Sequence, residues 1–296
     1  MQDKLSDTIS SHLSTNLSTN QSENLRRAYW TQQVELAVIF MDKVLASPVV
    51  DNAEPLINLV DAARDAAVEV RFSDRPHVNG LPRLYYLRQG QIAGFISAAR
   101  AMNKRGWVMQ VEDGFRTRQM QKFIGRQPAV FDGILKTCLW ELAGKTPTAD
   151  FMFRRCKSMI AYCPKVGTHM SASAIDITLF DRQTGREIDR GAPYLEMSEK
   201  TPMTSPFVSP AAMINRMTQC AIMREHGFVE YPYEFWHFNS GDCYDRVLTG
   251  NQTAAIYGPI DFDAETGKVT QMVDPEAALN TFDEIQQDIS AALARY

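Results

Sequence analysis

Nowhere in these 296 residues does an apolar run reach the roughly 18 residues that a bilayer-spanning helix needs. The opening stretch, MQDKLSDTISSHLSTNLSTNQSENLRR, lacks a basic region followed by an apolar core, so it does not read as a secretory signal, and a cytoplasmic protein is expected. Excess positive charge is missing as well. With 31 Lys and Arg against 35 Asp and Glu the formal net charge is -4, which offers no basic field to a nucleic acid. Cysteine is scarce and odd in number: the five, at 138, 156, 163, 220 and 243, form no C-x-x-C pair. That excludes a cysteine-rich zinc knot and suits buried thiols better than a disulfide framework. Histidine is equally scarce, five in all, so each imidazole can be weighed singly.

The remainder is that of an ordinary globular chain, 45% hydrophobic and 22% charged, long enough to bury a sizeable core. Residues 1–25 are rich in Ser, Thr, Asn and Gln and poor in large apolar groups, which predicts a mobile tail. Apolar residues at helical spacing over 29–46 predict a helix that ends before Ser47-Pro48. Further helices are expected over 91–104, over 116–145, after Ser209-Pro210, and from Pro275 to the C-terminus. Strands are expected at WVMQVEDG, SAIDITLFD (173–181), FVEY and EFWHFN. In the second of these Ile175, Ile177 and Leu179 take one face and Ala174, Asp176, Thr178 and Phe180 the other. Helices before, between and after a few strands predict an α+β fold: a small, mainly antiparallel sheet flanked by helices.

The stretch YPYEFWHF, 231–238, sets Glu234 three residues before His237 among rings. Ionisable groups in so apolar a segment need a specific partner. One reading is a metal ion; the other is a hydrogen-bonded core histidine with Glu234 turned to solvent. His12 falls in the presumed tail, His77 in a polar loop, and His226 in the last turn of a helix, where an imidazole meets unpaired carbonyls. His169 opens HMSASAID, and the small residues between it and Asp176 let the chain bend so that both converge. Two imidazoles, His169 and His237, with the carboxylate of Asp176 would form a three-ligand zinc site that keeps a fourth position for water. On a regular strand Glu234 and His237 would face opposite ways, but Pro232 disfavours pairing and predicts that Glu234 lies in a loop before the strand. The aromatic wall of Tyr231, Tyr233, Phe235 and Trp236 is expected to limit water around its carboxylate. Arg116, in DGFRTR, is expected at the end of a strand, either solvated or held over the metal.

DGFRTR, THMSASAIDITLFD and REHGFVEYPYEFWHF, in that order, resemble the D-alanyl-D-alanine dipeptidase family of zinc metallopeptidases, which is related to the zinc D,D-carboxypeptidases. The family pattern is D-G-Y-R-P, then S-x-H-x-x-G-x-A-x-D, then E-x-W-H. The resemblance implies a peptidase domain over 55–246, one zinc ion held by His169, Asp176 and His237, Glu234 as catalytic base and Arg116 at the substrate carbonyl. It implies hydrolysis of an amide bond in a small peptide such as D-Ala-D-Ala. Residues 26–54 and 247–296 are then helical N- and C-terminal extensions, with surfaces for self-association into a homo-oligomer. Three positions depart from the pattern: Gly167 for serine, Ala172 for glycine and Thr117 for proline. Where dipeptidases carry an acid for the substrate's free amine, this chain aligns Leu195, with Glu196 next to it. That departure keeps open a D,D-carboxypeptidase or amidase acting on a larger substrate, and a non-catalytic zinc-containing binding module.

Overall fold

The computed structural model describes residues 3–263 and 265–296, and their side chains from residue 21 onward. Of the tail expected over 1–25, residues 1 and 2 and the side chains up to residue 20 lie outside the described part. The first helix, α1, is drawn as Asp3–Ala46 and includes the stretch read as helical over 29–46. Trp30, Val34, Val38, Met41 and Val44 are buried along it, a stripe at helical spacing that lies against the rest of the chain.

After α1 come β1 Leu56–Asn58, α2 Leu59–Asp65, β2 Val70–Phe72 and β3 Tyr86–Arg88, then α3 Ile92–Lys104 and β4 Trp107–Asp113. The stretch expected to be helical over 116–145 splits into α4 Arg118–Ile124 and α5 Pro128–Glu141. The break falls before Pro128, which keeps Gln127 extended and then serves as the first turn of α5. A helix that the pattern did not suggest, α6 Ala149–Met159, follows with Thr148 as its cap. β5 Ala174–Asp181 and α7 Pro210–Glu225 match expectation, the hydroxyl of Ser209 accepting from Ala212 N at 3.1 Å. β6 Val229–Glu230, β7 His237–Asn239, α8 Cys243–Thr249 and the hairpin β8 Ile260–Phe262 with β9 Val269–Gln271 lead to α9 Phe282–Arg295. The last helix starts seven residues later than its apolar pattern suggested, because Thr281 and Glu284 form a reciprocal capping box.

The main sheet has the order β2-β4-β5-β7-β6, antiparallel except for the parallel pair β2 and β4. Ile175, Ile177 and Leu179 of β5 face a core shared with Met109 and Val111 of β4, Phe95, Ala99 and Met102 of α3, and Cys220 and Met223 of α7. Helices α5, α6 and α9 build a second cluster around Phe131, Ile134, Met152 and Ile289. Salt bridges tie α1 to this helical layer: Glu35 meets Arg154 and Arg155 of α6, and Arg155 in turn holds Glu141 of α5. The fold is α+β, with a small, mainly antiparallel sheet flanked by helices. All five cysteines are buried and free. Among the described residues no helix is long and apolar enough to cross a membrane.

Candidate active site

Strand pairing brings two of the sequence-predicted ligands together. Asp176 of β5 and His237 of β7 are direct partners across an antiparallel pair, which puts their side chains side by side on one face. His237 Nδ1 lies 2.9 Å from Asp176 Oδ1. The third residue arrives from the short 3-10 turn Thr168–Ser171, where His169 Nε2 sits 3.3 Å from that same carboxylate oxygen. One ligand atom from each of the three residues lies within 4.8 Å of the others, and all three residues are buried.

A backbone carbonyl assigns the tautomer of His169. His169 Nδ1 donates to Gly114 O at 2.6 Å, leaving the lone pair on Nε2, a buried atom with no hydrogen-bond partner. His237 Nε2 lies 3.1 Å from Asn239 Oδ1 and 3.2 Å from Thr168 Oγ1, and its Nδ1 faces Asp176. A buried imidazole nitrogen without a hydrogen bond is costly unless it serves as a ligand. His169 Nε2 is such a nitrogen, and together with His237 Nδ1 and the Asp176 carboxylate that both face, it makes a donor set that fits a divalent metal ion. Burial lowers the pKa of His169, with the Arg116 cation adding to the effect. Burial also works against a charge on His237, but the Asp176 carboxylate outweighs it and raises that imidazole. Asp176 is desolvated too, yet His169 and His237 hold it well below the usual carboxylate range.

Arg116 and Glu234 flank the triad. Arg116 follows a register shift near the end of β4 that sets Asp113 opposite Asp176, and its guanidinium spans the two carboxylates. Its Nε donates to Asp113 Oδ2 at 2.9 Å, its Nη2 lies 3.6 Å from Asp176 Oδ2, and its Nη1 donates to Gln121 at 3.2 Å. Asp113 and Asp176 outweigh the cost of burial and keep the guanidinium charged. Glu234 sits in the turn before β7, as Pro232 predicted. The turn is held from outside: Phe235 N donates to Thr201 O at 3.2 Å and Met203 N to Pro232 O at 2.9 Å. Burial pushes the Glu234 carboxyl up to about 7, against the pull of His237 and Arg116.

Residues 144–252 match the peptidase family model described as D-ala-D-ala dipeptidase, a stretch that includes the triad and Glu234. That segment is dipeptidase-like. Over 91 residues, 31% of this chain and 47% of the relative, it is 37% identical to the D-alanyl-D-alanine dipeptidase of Escherichia coli (strain K12). The D-alanyl-D-alanine dipeptidase of Enterococcus faecalis (strain ATCC 700802 / V583) is 31% identical over 77 residues, 26% of this chain and 38% of that protein. The chain thus spans less than half the length of these relatives. Among solved structures the LdcB LD-carboxypeptidase aligns over 76% of this chain and 84% of that one, at 18% identity and a TM-score of 0.36.

The dipeptidase-like segment accommodates its departures in distinct ways. Ala172, in place of glycine, keeps the left-handed backbone (φ 51°) that the turn into β5 requires, at the strain a Cβ incurs there. A side chain at Gly167 would meet the Cβ of Ala161 at 3.1 Å, so the serine of the family pattern would be crowded. The neighbouring hydroxyl of Thr168 turns to His237 instead. Leu195 has φ 66° and is exposed, and both it and Glu196 line the same cavity as the triad.

Some neighbours of the site were invisible in the sequence. Tyr194 donates its hydroxyl to Asp176 Oδ2 at 2.9 Å, yet no spacing marks it. Asp113 was read only as the end of a strand and turn, and it anchors Arg116. His77, placed by the sequence in a polar loop, is buried behind Asp113 with Nε2 3.3 Å from Oδ2. Its proline neighbours and polar company concealed a tertiary contact. Of the expected aromatic wall, Tyr233 borders a small cavity beside Glu234 and one member lies elsewhere. Tyr231 and Trp236 border the cavity beside Glu234, but Phe235 points into the main core, where it packs under Arg190 and Arg216.

Proposed function

We propose that this chain is a zinc-dependent hydrolase of peptide-type amide bonds, acting on D-amino-acid substrates of the D-Ala-D-Ala class. The observation that carries the reading is His169 Nε2, buried and unbonded, aimed with His237 Nδ1 at one oxygen of Asp176 beside a carboxyl held up to about 7. His169, Asp176 and His237 would hold the zinc, which supplies Lewis acidity and makes a water easier to deprotonate. Glu234 takes the proton from the attacking water and returns it to the departing amine. An acid near 7 suits both transfers. Arg116, fixed by Asp113 and Gln121, offers its guanidinium to the oxyanion that develops on the scissile carbonyl. Tyr194 holds the second oxygen of Asp176 and so orients the carboxylate.

Glu234→Gln tests the assignment. The variant should retain one zinc per chain by metal analysis while hydrolysis falls by several orders of magnitude, and near-normal turnover would remove Glu234 from the role of base. A second reading, cleavage of a larger blocked amide, is favoured by the site's volume. The cavity that holds the triad measures about 790 Å³, whereas a free D-Ala-D-Ala dipeptide of about eleven non-hydrogen atoms fills on the order of 200 Å³ at protein packing density.

A further inference from the structure

Phe235, the residue after Glu234, is buried against two guanidiniums: Arg216 Cζ lies 4.0 Å from its ring centroid and Arg190 Cζ 4.9 Å. Both arginines are buried as well. The oxygens that Arg216 meets are backbone carbonyls and not carboxylates. Its Nε donates to Arg190 O at 2.7 Å, its Nη1 to Pro202 O at 2.8 Å and Met203 O at 3.4 Å, and its Nη2 to Lys200 O at 2.9 Å. A cation in such surroundings is costly: burial, together with the neighbouring Arg190, pushes Arg216 down to about 10. Methionine would fill the same space without that cost. What it lacks is the planar fork of donors that gathers several carbonyls at once.

The gathered carbonyls belong to a segment that is bonded to the Glu234 turn in both directions. Thr201 O accepts from Phe235 N at 3.2 Å, and Met203 N donates to Pro232 O at 2.9 Å. Gln219, three residues after Arg216 on α7, closes the other side: its Nε2 donates to Phe235 O at 3.1 Å and its Oε1 accepts from Arg190 Nη1 at 3.2 Å. Arg190 Nη1 also donates to Ile177 O at 2.8 Å, next to Asp176 on β5. Glu196 and Ser198, just before the gathered segment, border the cavity that holds the triad. Resting on the hydrolase reading above, we propose that Arg216 is a positioning residue for Glu234, its guanidinium clasping residues 200–203 against the turn from which that carboxyl acts. It touches neither substrate nor reacting atoms. Its effect is on reach, and a base displaced by about 1 Å loses on the order of a hundredfold in rate.

The test compares the wild type, Arg216→Met and Arg216→Lys as full zinc-loaded chains, with D-Ala-D-Ala and N-acetyl-D-Ala-D-Ala as substrates. Arg216→Met, which keeps the volume and loses the fork, should lower kcat about 10- to 100-fold while KM changes by no more than about twofold. Arg216→Lys, a cation without the fork, should fall between it and the wild type. Hydrogen exchange followed by mass spectrometry supplies a readout independent of turnover. Peptides spanning 200–205 and 231–237 should exchange about tenfold faster in Arg216→Met, while β4 exchanges as in the wild type. If Arg216→Met does not fold, Arg216→Lys is read by the same two measures. Faster exchange throughout the chain with kcat per folded molecule unchanged would overturn the proposal, because Arg216 would then only stabilise the fold. A rise in KM with kcat intact would overturn it too. If the wild type hydrolyses neither peptide, local loosening in the variants still supports the clasp, and the hydrolase reading falls instead.

Discussion

At the scale of single residues, the candidate site holds neighbouring ionisable groups in different charge states. Asp176 is held ionised by two imidazoles, while Glu234, in a turn with fewer partners, is pushed up to about 7. The difference has a pH signature. A base must be ionised to accept a proton, so kcat/KM should fall about tenfold per unit as pH drops below the value for Glu234. That acid limb should lie at or below about 7, because a bound cation pulls the carboxyl further down. A rate profile that climbs towards acid would exclude this role. Residue identity and spacing made the triad and Glu234 legible in the sequence, since E-x-x-H beside Pro232 and H-x₆-D before a strand constrain where side chains can go. Tyr194 and His77 were not legible. Each reaches its carboxylate through a long-range contact that leaves no periodic trace.

At the scale of elements, pairing register and close helix approach determine whether the site forms. Periodicity identified β4, β5, α3 and α7, the elements that build the main core. It gave no hint of α6 or of the parallel pairing of β2, because strands of three residues carry too few alternations to read. One approach is tight enough to test. A Cβ on Gly94 in α3 would lie 2.3 Å from the carbonyl oxygen of His226 at the end of α7. Because the obstacle is backbone, Gly94→Ala should cost about 1–3 kcal/mol despite the better helix propensity of alanine. Urea denaturation followed by circular dichroism would measure it, and an unchanged midpoint would show that the two helices can separate freely.

At the scale of the whole molecule, α1 is a structural partner of the site. It joins the helical layer through Glu35 and the candidate site through Met41, which borders the cavity that holds the triad. Hydrogen bonding to Arg154 and Arg155 lowers the Glu35 carboxyl to about 2. A folded-state value below the ordinary 4.5 means that the contribution to stability is complete above about pH 4.5 and is lost as pH falls towards 2. Glu35→Gln should therefore lower the melting temperature at neutral pH and narrow the gap to wild type as a thermal series is carried down from pH 5 to about 2. A gap of constant size would mean that the charge on Glu35 does not hold α1. The sequence showed a helix over 29–46, the second part of α1, but could not say what it covers. Its apolar stripe fixes which side is buried and not which partner buries it.

Trp30, Val34 and Ala37 of α1 border a small cavity of about 30 Å³ that has Glu234 on its wall. The desolvation that raises that carboxyl thus comes partly from a helix distant in sequence and fastened at the surface by ion pairs. Gentle heating that peels α1 away would rehydrate Glu234 while the sheet stays intact. Turnover would then fade in a range where the fold as a whole has not yet melted.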